Sequence, residues 1–163
     1  MSRAHRIVPT VPTDASLTVR LGAGNTSGDR FDLKEQGKAV KLVAESRYDL
    51  CAAGDEIEAF ITSVEAATQD GFSIGGVAQE DIRWATADGL QATPGTGVIA
   101  VGDYVLAGTI TAKGTALTQY AKVTKATTQA TVKASPYNWR VMSLGPAGTG
   151  AVGTAIVIKR AAT

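Results

Sequence analysis

Asp49-Leu50-Cys51-Ala52-Ala53-Gly54-Asp55-Glu56-Ile57-Glu58-Ala59-Phe60-Ile61 is the stretch on which the reading of this chain turns. Small residues lead into Gly-Asp, a pair suited to a tight turn. Glycine accepts a positive φ, and the aspartate carboxylate can bond nearby backbone N–H groups. Alternation then sets Ile57, Ala59, Ile61 and Val64 on one side, the period of a strand with one face buried. An echo stands 48 residues later, where Ala100-Val101-Gly102-Asp103 precedes Val105, Ala107 and Ile110. It reads either as two sheets entered by similar turns or as one turn chemistry arising twice.

Working outward, Lys38–Ala44, Glu56–Val64, Phe72–Val77, Tyr104–Ala112, Leu117–Lys125, Ala130–Ala134, Trp139–Leu144 and Thr154–Lys159 read as further strands. Asp70-Gly71, Asp88-Gly89, Lys113-Gly114 and Gly148 to Gly153 separate them at the intervals typical of sandwiches and barrels. Only Ala78 to Ala85 reads as helix. The expected fold is all-β: a single β-sandwich or β-barrel, jelly-roll-like among the options, with an extended N-terminal arm. The arm is residues 1–30 and the β-rich domain residues 31–163. Pro9 and Pro12 punctuate the arm, and Ser16-Leu17-Thr18-Val19-Arg20-Leu21 alternates as one strand. A strand outside a compact core serves best by adding to another chain's sheet edge.

Charge is divided along the chain. All 15 Asp and Glu precede Tyr104, against nine Lys and Arg there, while seven Lys and Arg and no acid follow. A net +1 therefore hides about −6 and +7. Such a split favours a partner of opposite sign, whether a protein shell, a second copy or a polyanion. Val, Ile, Ala and Thr dominate over three Phe, four Tyr and two Trp, which suits pleated sheets with modest burial per side chain. No apolar run follows the basic residues at the start, so no signal peptide is expected. No stretch approaches the ~18 apolar residues of a membrane span, so no membrane partner is expected.

Catalytic chemistry finds few supports. His5 is the sole histidine and lies in the arm, which leaves no triad and no multi-histidine metal centre. Cys51 is the sole cysteine and reads as a buried thiol. Gly148-Thr149-Gly150-Ala151-Val152-Gly153 has the letters of a dinucleotide loop but precedes a strand, so it reads as a hairpin loop. Glu56 and Glu58 share a strand face, as a glycosidase pair would, yet read better as a solvated acidic face. No catalytic, cofactor-binding or metal residue is therefore expected. Nucleic acid is not an expected partner either, although Lys113, Lys122, Lys125 and Lys133 lie near Tyr120, Tyr137 and Trp139.

The run Gly37-Lys38-Ala39-Val40-Lys41-Leu42 followed by Asp49 to Ile57 resembles the small capsid cement or decoration proteins of tailed bacteriophages. There an apolar strand leads to an A-A-G-D-x-I turn and strand, and chains finish on a glycine-rich turn and apolar strand, here Gly150 to Ile158. The resemblance covers residues 37–163 and does not extend to residues 1–30. It implies a β-rich, non-enzymatic virion protein, made in the host cytoplasm, that binds the outside of an expanded head. Its partners would be the major capsid protein and itself, as a homodimer or homotrimer. The expected contacts are Ile7, Val8, Val11, Leu17, Val19 and Leu21 of the arm, then Lys122, Lys125 and Trp139. The alternative is a tail or fibre component binding carbohydrate on Trp84, Trp139 and Tyr137. A hydrolase using Asp55 and Glu58 is a third, weaker reading.

Overall fold

The computed structural model describes residues 16–22, 30–65, 73–80, 82–89 and 98–161. Among these, ten strands close into two rings. The first ring comprises β1 (Ser16–Leu21), β2 (Ala39–Ala44), β3 (Arg47–Leu50), β4 (Ala59–Glu65) and β5 (Ser73–Ala78). The second comprises β6 (Ile82–Ala87), β7 (Tyr104–Ala107), β8 (Lys122–Lys125), β9 (Trp139–Ser143) and β10 (Ala155–Arg160). A 3-10 turn (Leu33–Glu35) precedes β2, and one helix, α1 (Gln129–Ala134), joins β8 to β9. The chain is all-β as expected. Of the architectures the sequence left open, the barrel is present, and it is built twice.

The two barrels share one design. Their orders are β1-β3-β2-β4-β5 and β6-β8-β7-β9-β10, each with one parallel pair, β1 with β3 and β6 with β8. Registers agree residue by residue: Val40 faces Ala59 as Val105 faces Trp139, and Arg20 faces Arg47 as Thr86 faces Lys122. Even the bulge repeats, with Thr62 passed over on β4 and Met142 on β9. Backbone bonds repeat as well. Gly22 N donates to Tyr48 O and Asp88 N to Val123 O, both at 2.8 Å, while Cys51 N donates to Ala39 O at 3.1 Å and Ala126 N to Tyr104 O at 2.9 Å. This is an internal structural repeat. The two Gly-Asp turns are not counterparts within it: Ala52 to Asp55 lies between β3 and β4, whereas Ala100 to Asp103 leads into β7. The same turn chemistry has arisen at two different places.

Several local expectations are corrected. Residues 82–87 are strand, not the end of a helix, because Ile82 to Thr86 pair along β10 and Trp84 and Thr86 suit a strand. Residues 129–134 are helix rather than strand; Gln, Ala and Lys favour it, and no neighbouring strand pairs with it. The segment β1 lies within its own barrel, not outside a core. It pairs with β5 over six residues and with β3 at Arg20 and Leu21. Val19 and Leu21 are buried, so their apolar face is already used.

The first core gathers Val19, Leu21, Phe31, Val40, Tyr48, Ala59, Ile61, Val64 and Val77, all from its own half. The second gathers Val105, Val123, Trp139, Val141, Ile156 and Ile158, but also Cys51, Ile57 and Phe60 of the first half. Phe60 meets Trp139 edge to face, centroids 4.9 Å apart at 88°. Trp139 Nε1 donates to Ile57 O at 2.7 Å, satisfying the one polar atom of a fully buried ring. The barrels are thus fastened through a shared apolar seam.

Candidate functional site

The Gly-Asp turns are built alike. Gly54 and Gly102 have φ of 88° and 93°, and each aspartate carboxylate accepts from the alanine N–H three residues back, at 2.5 Å from Ala52 and 2.8 Å from Ala100. Each also meets a lysine at 2.7 Å, Lys41 with Asp55 and Lys125 with Asp103. The bond to Asp55 raises the Lys41 pKa above its ordinary value. Each turn then clamps one strand residue through its N–H and C=O. Gly102 N and Asp103 O bind Val141 of the same barrel at 2.9 and 2.8 Å. Gly54 N and Asp55 O bind Ala107 of the other barrel at 2.8 and 2.9 Å. The Ala52 to Asp55 turn is thus the weld between the barrels.

The acidic side chains nearby also serve the frame. Glu56 Oε2 accepts from Ser135 Oγ at 2.9 Å across the seam. Burial raises the Glu58 pKa, although the Leu42 N–H and the Tyr137 hydroxyl donate to its carboxylate. Asp55 is held by Lys41 and the turn. Burial pushes the Cys51 thiol up to about 12, so the sulfur packs as a neutral apolar group. Among the described residues no group of three or more His, Cys, Asp or Glu could hold a metal ion. No helix among them is long and apolar enough to cross a membrane.

The expected contact residues are dispersed. Ile7, Val8 and Val11 lie outside the described residues. Leu17 is exposed, but Val19 and Leu21 are core. Lys122 is exposed on β8, while Lys125 is tied to Asp103. Trp139 has no exposed surface, so neither a partner contact nor a sugar platform can use it. Other basic groups are engaged too: Arg140 Nε donates to Gly102 O at 3.1 Å, and Arg160 lies 5.0 Å from the Tyr137 ring centre while its Nε donates to Pro136 O.

The sequence did not reveal a groove of about 750 Å³ between the barrels. Gln36, Gly37 and Phe60 form its first-barrel side, Ile82 to Trp84 and Ala155 its floor on the second, and Leu117 to Tyr120 a wall. Trp84 and Tyr120 stack at 5.8 Å and 24°. No protein-family model, curated protein or solved structure matches this chain.

Proposed function

We propose that this chain is a non-catalytic structural protein that decorates the outside of an expanded tailed-phage head and holds neighbouring capsid subunits together. What carries the reading is the double barrel. A cement protein must touch more than one subunit of a repeating surface, and a rigid block that presents one barrel design twice, at fixed spacing, suits that task. Residues 1–81 carry 13 Asp and Glu against eight Lys and Arg, and residues 82–163 two against eight, a charge contrast between the halves that favours register and association rate on a patterned shell. The resemblance of the Ala52 to Ile57 turn and the C-terminal Gly150 to Ile158 segment to head decoration proteins points the same way. The use of Asp55, Glu56 and Glu58 in the weld and seam leaves these carboxylates as parts of a scaffold.

The test is co-sedimentation of the purified chain with expanded, undecorated heads of its parent phage. Saturable binding at a fixed ratio to the major capsid protein is the expected result. Protein that stays in the supernatant at micromolar concentration would rule the reading out. A chain lacking residues 2–15 keeps β1 and isolates the arm's share of the binding.

A further inference from the structure

Each barrel is a control for the other, because what closure demands is present in both and what only one carries answers another need. The β2–β3 connection is Glu45-Ser46, whereas its counterpart between β7 and β8 runs through residues 108–121. The longer connection closes nothing extra. Ser46 O accepts from Arg20 N, and Ala121 O from Thr86 N, both at 3.0 Å. Long connections without secondary structure are uncommon in compact domains and tend to be functional.

This one is held in place. Lys38 Nζ donates to Ala112 O at 3.0 Å, and Gly114 N to Glu35 Oε1 at 2.6 Å, while Lys38 and Glu35 form a buried ion pair at 3.1 Å. The wall it builds sets Tyr120 against Trp84, whose counterpart on β1 is Thr18. Tyr120 is half exposed, so the stack is not core packing. The lining adds the Gln36 and Gln119 amides, the Thr118 hydroxyl and Arg83, and among the described residues no carboxylate. Arg83 lies over the Phe60 ring, 5.9 Å from its centre, so a ligand matching the remaining groups has a flat C–H face for the rings, hydroxyls for the amides and no required charge. The volume lies within the range of small-ligand sites.

We propose that the groove between the barrels binds an uncharged oligosaccharide, with Trp84 and Tyr120 as the stacking surface and Gln36, Thr118 and Gln119 as hydrogen-bonding groups. This activity does not depend on the head-decoration role.

The test is saturation-transfer NMR and intrinsic fluorescence on the full chain with maltotriose, cellotriose, chitotriose and mannotriose, and with the oligonucleotide dT10 as competitor class. At least one trisaccharide should bind and perturb Trp84 emission. Tyr120→Ala should weaken it tenfold or more, Gln119→Ala severalfold, and Met142→Ala, outside the groove, not at all. Gln119→Ala carries the test if Tyr120→Ala lowers the melting temperature. No binding by any trisaccharide at millimolar concentration, undiminished binding in both groove variants, or binding of dT10 alone would each overturn the proposal.

Discussion

Gly54 and Gly150 are glycines for different reasons, and alanine separates them. Gly54 has φ +88° with nothing within 4 Å of an added Cβ, so Gly54→Ala meets only the left-handed penalty, about 1 kcal/mol. At Gly150 a Cβ would overlap the Ile99 carbonyl, so Gly150→Ala must shift backbone and should lower the urea midpoint well beyond Gly54→Ala. Cys51 yields a pH prediction. Its folded pKa of about 12 exceeds the unfolded value near 9, so the folded state holds the proton that the unfolded state releases. Stability from this group is intact below pH 9 and declines as pH rises towards 12, by up to about 1.4 kcal/mol per unit. Denaturation midpoints of wild type and Cys51→Ala across that window should converge as pH rises. The thiol should also resist alkylation at pH 8 until the chain unfolds. The Gly-Asp chemistry was legible in the sequence because glycine accepts the positive φ that other residues avoid and the adjacent aspartate carboxylate can accept from the turn's N–H groups. Trp139 was not, because one ring on a strand does not reveal whether its face meets solvent, a partner or its own core.

At the scale of elements, alternation in β1 marked which side chains share a face but not what covers them. The strands that pair with β1, namely β5 and β3, begin 57 and 31 residues beyond its start and carry no mark of the pairing. Deleting residues 2–21 therefore opens the first barrel, whereas deleting 2–15 should leave far-UV circular dichroism and melting behaviour close to wild type. The repeat was hidden for a related reason. Counterparts differ widely in size, Ala59 with Trp139 and Gly75 with Ile156, and their separation drifts from 65 to 81 residues as connections lengthen. Residues 108–121 hold the clearest element-scale prediction. Replacing them by a two-residue turn should keep the second barrel folded, by near-UV circular dichroism, while removing the groove wall. The Glu35–Lys38 pair beneath that loop is nearly fully buried. Lys38→Met leaves a buried carboxylate without its cation and should cost about 3–5 kcal/mol in urea unfolding.

For the whole molecule, the two cores are unequal. The first is drawn from its own half, while the second needs Cys51, Ile57 and Phe60 from the first. Residues 1–81 expressed alone should give a dispersed amide spectrum, and residues 82–163 alone should not. The full chain should unfold in one transition by both tryptophan fluorescence and circular dichroism, since the seam couples the barrels. Trp139→Ala removes the ring at the centre of that seam and should cost about 3–5 kcal/mol. Its loss would silence any surface role through unfolding, so surface roles are better probed at Tyr120.

The shared seam also gives the chain a direction in time. A ribosome releases β1 to β5 before β6 exists, and those strands can close around a core drawn from their own half. Until β9 and β10 emerge, Phe60 and Ile57 stand on a finished barrel without cover, a template awaiting its second half. Assembly from the N-terminus forward follows, the first barrel serving as the mould against which the second is cast.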